Sequence, residues 1–165
     1  MQVIEDYLEE EYFNHLYGMM TNQTMWQWNF QRNVAAETDQ EEEDINNYYF
    51  VHPMYDYMDV VNPSTHQYFL PFLRGLDIKC LHRSRVLMYV NQGKQIIHSR
   101  HVDMDESCTT ALLYMNTNNG FTEFETGERV ESIKNRLLLF DGSVKHSSST
   151  PTDTKYRMLI SVTYK

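Results

Sequence analysis

The chain has 165 residues, a mass of 19.7 kDa and a formal net charge of −9, a size typical of one domain. The charge is uneven, because residues 1–60 carry 13 acidic side chains and one basic side chain, whereas residues 61–165 carry 10 acidic and 13 basic side chains. This composition argues against strong nucleic-acid binding, and no segment approaches the roughly 20 apolar residues that a membrane span needs.

The chain opens with a helical pattern that is followed by an aromatic strand pattern. Apolar residues recur at helical spacing between residues 4 and 20, which predicts an amphipathic helix. Residues 25–32 alternate three aromatic side chains with polar ones, which predicts a half-buried strand with Trp26 and Trp28 on one face. These tryptophans are interpreted as core residues, with a substrate platform as the alternative.

An acidic segment separates this strand from the next apolar residues. Residues 35–46 are expected to form a solvated loop, with a mobile lid as the alternative. Residues 48–51 read as a short extended run, and Ser64 is placed to cap a second helix that Pro71 would bend or shorten. We therefore expect residues 1–79 to form a helical accessory layer.

From Cys80 onward, short strand-like segments follow one another closely. Asn119-Gly120 is a strong hairpin signal because both residues tolerate positive φ, and Gly127 marks another turn. Many short strands with tight turns predict an antiparallel sandwich or barrel, so the fold class is α+β, mainly β, with N-terminal helices packed on the barrel. The predicted strands cover residues 85–90, 95–98, 109–116, 121–124, 129–133, 137–140 and 157–164.

The candidate metal-binding motif is His101-Val102-Asp103, together with a distant His146. Alternate residues of a strand point to the same face, so His101 and Asp103 can hold one ion while Val102 faces the core. Two histidines and one carboxylate form the facial triad of non-haem Fe(II) oxygenases, which leaves coordination positions open for a co-substrate and O₂. By itself, His-x-Asp is weak evidence, because a surface histidine and a turn aspartate often stand at this spacing.

A second feature strengthens this interpretation. Arg157 follows His146 by eleven residues and opens the final strand. A dicarboxylate that chelates a metal at one end leaves a second carboxylate, which a guanidinium pairs bidentately. Strand alternation places Arg157, Leu159 and Ser161 on one face, so Arg157 can point into the barrel. The alternative is a strand-end arginine in solvent.

Several segments stand in a characteristic order from residue 88 onward. They are Met88 to Gly93 leading into Arg100 to Asp103, then Cys108 to Asn116, Asn135 to Asp141, His146, and the strand that begins at Arg157. In this order they resemble 2-oxoglutarate- and Fe(II)-dependent oxygenases of the prolyl-hydroxylase branch, most closely the short versions found in marine phages. The resemblance covers residues 80–165 well, whereas residues 1–79 match only through the opening helix and residues 49–52.

This resemblance implies a double-stranded β-helix, a jelly-roll or cupin-like barrel, over a single domain of residues 1–165 with its catalytic core at 80–165. It implies iron, 2-oxoglutarate and O₂ as cofactor and co-substrates, with ascorbate as a possible addition, and release of succinate and CO₂. His101, Asp103 and His146 match the family's iron ligands, and Arg157 matches the residue that pairs the distal carboxylate of 2-oxoglutarate. Tyr89 and Tyr114 match tyrosines whose hydroxyls bond the co-substrate, although the spacing from Tyr89 to His101 differs from that of relatives.

Three positions of this sequence narrow the choice among the branches of the family. Nucleic-acid dealkylases carry a second arginine six residues after the first, where this chain has Thr163, and the plant small-molecule branch has Arg-x-Ser, where this chain has Leu159. The presence of Asp103 argues against a halogenase. The resemblance to the prolyl-hydroxylase branch implies, as the substrate, a C–H bond of a peptide or protein side chain such as proline. The alternatives are a free small molecule or nucleobase, or a catalytically silent binding module.

The remaining candidate residues have structural interpretations. His98 is expected to have a structural or solvent role, with a substrate contact or replacement of His101 as the alternatives, and His52 is expected to be buried and hydrogen-bonded. Asp105 is assigned to a turn. Cys80 and Cys108 are interpreted as two buried, reduced thiols. The acidic start lacks a secretory pattern, so a cytoplasmic protein, or one in the host cytoplasm if viral, is expected.

Overall fold

The computed structural model describes residues 1–22, 24, 26–35 and 44–165. Two antiparallel sheets and two helices make up this part of the chain. The helices are α1 (Glu10–Thr21) and α2 (Pro63–Arg74). The strands are β1 (Gln2–Ile4), β2 (Asn29–Gln31), β3 (Tyr49–Asp56), β4 (Asp59–Val60), β5 (Leu81–Val90), β6 (Thr109–Tyr114), β7 (Phe121–Phe124), β8 (Arg129–Glu131), β9 (Leu137–Asp141), β10 (His146–Ser148) and β11 (Tyr156–Tyr164).

The larger sheet runs β1-β9-β6-β11-β5-β3-β2, with β4 paired to β3, and the smaller sheet runs β10-β7-β8. Consecutive strands often lie in different sheets, so the chain crosses repeatedly between the two. This is the topology of a jelly-roll barrel, the double-stranded β-helix, and it confirms the predicted mainly β fold with supporting N-terminal helices.

The two faces of the larger sheet have different roles. Along the central strand β11, Met158, Ile160 and Val162 belong to the apolar core that the helices cover, together with Phe13 of α1 and Phe72 of α2. The intervening residues of β11 face the smaller sheet. Because strand side chains alternate between faces, the helices bury one face and leave the other to line the interior of the barrel.

The first helix is shorter than its apolar spacing predicts. Residues 2–4 pair with β9 instead, and Asp6 has a positive φ of 47°, which is incompatible with a continuous helix. The backbone N–H of Tyr7 donates to the carbonyl of Asn135 at 3.0 Å. Long-range pairing therefore takes the first residues away from the helix.

The aromatic strand predicted at 25–32 is reduced to β2. Trp26 is buried in the core and stacks near His52, but it precedes the strand, and Phe30 is 57% exposed. The alternation therefore indicated burial correctly for Trp26 and wrongly for Phe30. Most of the acidic segment predicted as a loop, residues 36–43, lies outside the described residues.

Two local predictions about turns and caps were wrong. Ser64 does not cap α2, because Asn62 precedes the helix and Pro63 begins it. Asn119-Gly120 does not form a hairpin, because β6 and β7 lie in different sheets and neither residue has a positive φ. The turn at Gly127, with φ of +84°, connects β7 to β8 as expected.

Two strand predictions also changed. Residues 95–98 form only a single bridge, between Ile97 and Ser149, whereas residues 146–148 form β10, which the polar sequence His-Ser-Ser does not suggest. The strand predicted at residues 121–124 is present with the predicted bounds, and the other predicted strands are present with shifted ends. Cys108 is buried as predicted but Cys80 is exposed, and both are free thiols. Across the described ranges, neither helix has the length and apolarity to cross a membrane.

Candidate functional site

A cavity opens between the two sheets, against the inner face of β5 and β11. Three cross-strand pairs line it in succession: Tyr89 with Arg157, Leu87 with Leu159, and Arg85 with Ser161. The predicted orientation of Arg157, Leu159 and Ser161 into the barrel is therefore correct. The cavity is open to solvent on one side.

His101, Asp103 and His146 meet at this cavity. One donor atom from each of the three side chains lies within 4.8 Å of the other two. His146 Nε2 is 3.7 Å from Asp103 Oδ2, and the two imidazole rings have centroids 4.5 Å apart. The three predicted ligands are thus brought together, although two of them are separated by more than 40 residues from the third.

The backbone holds these three residues in a way that simple strand alternation does not describe. His101 and His146 form an isolated antiparallel bridge, in which each N–H donates to the other residue's carbonyl, at 2.9 and 3.0 Å. Asp103 lies beyond this bridge, and its N–H donates to the carbonyl of Gly142 at 2.8 Å. The expectation that Val102 faces the core was wrong, because Val102 is half-buried and is not among the residues packed against either apolar core.

The charges of this cluster suit a cation. Burial, followed by the neighbouring His146, lowers the pKa of His101 to about 4, so this imidazole is neutral near pH 7 and offers a lone pair. Burial opposes the ionisation of Asp103, but His146, Thr110 and Arg83 outweigh it and lower the pKa of the carboxyl group. The Nδ1 of His146 is 2.9 Å from the carbonyl of Val144, which fixes the tautomer that leaves Nε2 as the acceptor.

Asp103 is oriented by two side chains that the sequence did not single out. Arg83 Nη2 donates to Asp103 Oδ1 at 3.2 Å, and Thr110 Oγ1 donates to Oδ2 at 2.7 Å. Burial, followed by repulsion from Arg85, lowers the pKa of Arg83, while Asp103 opposes that shift. Both carboxylate oxygens are therefore held before any ion is bound.

Arg157 is fully buried, with 0% of its surface exposed. Its Nη2 donates to Thr122 Oγ1 at 3.0 Å and its Nη1 to the Ser149 carbonyl at 3.3 Å, whereas Nε is buried without a partner. No carboxylate from the described part of the chain pairs with it. A buried guanidinium that lacks a counter-ion has a strong requirement for one.

The two tyrosines that the resemblance singles out lie beside Arg157. The guanidinium carbon is 5.5 Å from the ring centroid of Tyr89 and 5.4 Å from that of Tyr114. Tyr89 lines the cavity, whereas the Tyr114 hydroxyl reaches Thr122 Oγ1, at 2.9 Å. Burial raises the pKa of both tyrosines, so both hydroxyls stay protonated near neutral pH and can donate hydrogen bonds.

Sequence reasoning missed several residues of the cavity. Thr122, Ser148 and Arg85 line it, and so do Val34 and Tyr49 from the acidic first part of the chain. Thr122 and Ser148 lie on short strands of the smaller sheet with little pattern of their own. Arg85 carried a usable signal, because it alternates with Leu87 and Tyr89 along one strand.

His98 and His52 have the structural environments that were expected. His98 is buried, its Nδ1 lies 3.0 Å from Ser148 Oγ, and burial lowers its pKa to about 4. Its ring is 5.4 Å from that of Tyr89, so it packs behind the cavity. The two nitrogens of His52 bond the Gln27 carbonyl at 2.7 Å and Thr65 Oγ1 at 2.8 Å.

The fold is shared with several solved structures. Solved structures with the same fold include a member of the 2OG-Fe(II) oxygenase family and two prolyl hydroxylases. At the level of sequence, no protein-family model and no curated protein matches the chain. The likeness is therefore one of fold.

Three solved structures illustrate it. A prolyl-4-hydroxylase from Pseudomonas putida is 15% identical, with a TM-score of 0.63 over 99% of this chain and 91% of that one. A 2OG-Fe(II) oxygenase family oxidoreductase from Burkholderia pseudomallei is 8% identical, with a TM-score of 0.70 over 98% and 84%. A prolyl hydroxylase from Trichoplax adhaerens, in complex with a hypoxia inducible factor peptide fragment, is 12% identical, with a TM-score of 0.63 over 99% and 82%.

Proposed function

We propose that the chain is an Fe(II)- and 2-oxoglutarate-dependent dioxygenase that hydroxylates an unactivated C–H bond and releases succinate and CO₂. One observation carries the proposal. A cluster of two histidines and one aspartate shares a cavity with a fully buried arginine that has no carboxylate partner among the described residues. A metal-chelating dicarboxylate requires both features, one for each of its ends.

The donor set suits Fe(II). Two imidazoles and one carboxylate, from His101, His146 and Asp103, are the ligands that non-haem iron oxygenases use, and they leave positions free for other ligands. When bound, Fe(II) supplies the O₂ chemistry that couples decarboxylation of the 2-oxo acid to hydroxylation. The protein keeps His101 neutral through burial and holds Asp103 in place through Arg83 and Thr110.

The opposite end of the cavity suits the distal carboxylate of 2-oxoglutarate. Arg157 offers guanidinium hydrogens in a planar fork, which matches a carboxylate bidentately. Thr122 and the Tyr89 and Tyr114 rings hold that guanidinium, and the tyrosine hydroxyls can add hydrogen bonds to the co-substrate. Full burial of Arg157 excludes water, which strengthens the pairing.

We propose a peptide side chain, with proline as the first candidate, as the substrate. The support is the fold likeness to prolyl hydroxylases and the peptide bound in the Trichoplax adhaerens structure. His101 is half-buried, which places the reactive end of the cavity near solvent, where a peptide can reach it, whereas the side chains of Asp103 and His146 are buried.

The experiment measures succinate formed from 2-oxoglutarate in the presence of Fe(II), O₂ and ascorbate. The wild-type protein should form succinate, and His101→Ala or Asp103→Ala should abolish it. Calorimetry with Mn(II) and 2-oxoglutarate gives an independent measure of binding. The absence of both metal and 2-oxoglutarate binding would refute the proposal, whereas binding without succinate under any substrate would indicate a catalytically silent module.

A further inference from the structure

Of the three cross-strand pairs that line the cavity, the first and the last each contain an arginine. Arg157 pairs with Tyr89 at the closed end, and Arg85 pairs with Ser161 four residues further along both strands, about 13 Å away at the backbone. Arg157 is fully buried, whereas Arg85 is half-buried. The closed end and the open end of the cavity therefore each present one guanidinium.

Arg85 has no hydrogen-bonded or ion-paired partner in the described part of the chain. Its Nε is buried without a hydrogen bond, and no ion pair formed among the described residues includes it. Asp103, the one carboxylate among the described lining residues, forms its hydrogen bonds with Arg83 and Thr110 and none with Arg85, which acts on it only through its charge. A guanidinium in a cavity without a counter-ion is a site for an anion.

The co-substrate does not satisfy this requirement. In the proposed function, one carboxylate of 2-oxoglutarate chelates the metal and the other pairs with Arg157, so neither remains for Arg85. The charge of a divalent ion is also cancelled by the two carboxylates of the co-substrate. Among the described lining residues, Arg85 and Arg157 are cationic and Asp103 is the one carboxylate, which is also paired with Arg83, so the filled cavity keeps a positive excess.

We propose that Arg85 is a specificity-determining residue that binds a carboxylate of the primary substrate beside the metal cluster. The inference rests on the proposed function and narrows its substrate class to carboxylate-bearing peptides or amino acids. Its location favours this role, because Arg85 lies at the solvent side of the cavity, on the same strand face as Leu87 and Tyr89. A substrate that enters from the mouth meets Arg85 before it reaches the closed end.

The carboxylate can come from an acidic side chain of a peptide or from the α-carboxylate of a free amino acid, and the assay separates the two. Succinate formation is followed with matched proline-containing peptides that carry Glu or Gln beside the proline, and with free L-proline and its amide. The variants are Arg85→Gln, Arg85→Lys and, as a control on an exposed helix end, Arg74→Gln. Calorimetry with Mn(II) and 2-oxoglutarate is run on every variant.

In each pair of substrates, the wild type and Arg74→Gln should use the carboxylate substrate with a kcat/KM roughly 10- to 100-fold higher than that of the amide. This ratio corresponds to one charge-assisted interaction that the amide cannot form. Arg85→Gln should lose this preference, and Arg85→Lys should keep part of it, while 2-oxoglutarate affinity stays within about twofold of wild type.

Equal use of carboxylate and amide substrates by the wild type would overturn the inference. Loss of 2-oxoglutarate binding in Arg85→Gln would also overturn it, by assigning Arg85 to the co-substrate. A wild type that binds no 2-oxoglutarate would instead refute the proposed function itself.

Discussion

The side chain of Arg157 passes directly over Gly120. A Cβ added at Gly120 would stand 2.6 Å from Arg157 Cδ and 2.8 Å from Asn118 Oδ1, closer than real Cβ contacts allow. Gly120 does not have a positive φ, so its role here is to leave space and not to permit a turn. The absence of a side chain at Gly120 therefore makes room for the buried side chain of Arg157.

The substitution Gly120→Ala should displace Arg157 and weaken 2-oxoglutarate binding. We expect a rise of at least tenfold in the 2-oxoglutarate Kd and a loss of about 1–3 kcal/mol in the free energy of unfolding, the usual range for overpacking. Calorimetry and urea denaturation measure these two quantities.

Gly18→Ala is the matched control, because a Cβ at this position in α1 meets nothing within 4 Å. It should leave 2-oxoglutarate binding unchanged and stabilise the helix by roughly 0.5–1 kcal/mol. Unchanged co-substrate affinity in Gly120→Ala would contradict the assignment of Arg157 as its binding residue.

Thr122 links Arg157 to Tyr114, since its Oγ1 lies 3.0 Å from the guanidinium and 2.9 Å from the tyrosine hydroxyl. Replacement by the isosteric valine leaves both groups buried without this partner. The 2-oxoglutarate Kd should rise roughly tenfold, because two hydrogen bonds that orient the pocket are lost. Thr163→Val is a suitable control, since that hydroxyl is buried without a hydrogen bond. Equal 2-oxoglutarate affinities in the two variants would disprove the role of Thr122.

Arg83 and Thr110 should determine how tightly the metal cluster binds its ion. Arg83→Met and Thr110→Val each free one oxygen of Asp103, so the carboxylate loses its orientation. Losses of outer partners of metal ligands typically reduce affinity by about 10- to 100-fold. Titration with Mn(II) measures this loss, and Arg83→Lys should restore part of it. An unaltered Mn(II) affinity in Thr110→Val and Arg83→Met would show that Asp103 needs neither partner.

The stability of the fold should fall with acidification through His52, among other groups. Burial lowers the pKa of His52 in the folded protein, and the Gln27 carbonyl only partly offsets this. The unfolded chain therefore takes up a proton first, so stability is full at neutral pH and declines as the pH falls below about 6.5. His52→Gln should reduce the slope of unfolding free energy between pH 7.5 and 5.5, where one group contributes at most about 1.4 kcal/mol per pH unit. Identical slopes in the two proteins would rule out this contribution.

Periodicity was enough to predict which residues of the final strand face the interior of the barrel. Alternation along β11 placed Arg157, Leu159 and Ser161 on one face, and the structure confirms it, because strand side chains alternate whatever the neighbours are. The residue types His, Asp, His and Arg likewise predicted a metal cluster and an anion site. These inferences depend on local geometry and on chemistry that each residue carries by itself.

The remaining features depended on which strands meet. β10 has no apolar alternation and exists because His146 to Ser148 pair with β7. Gly120 leaves space for the side chain of Arg157, which is 37 positions away in the sequence. The partners of Asp103 and the unpaired state of Arg85 likewise follow from strand register. Sequence pattern determined which residues could do chemistry, and the tertiary structure decided which of them share a cavity, because long-range pairing depends on the whole sheet and not on any local segment.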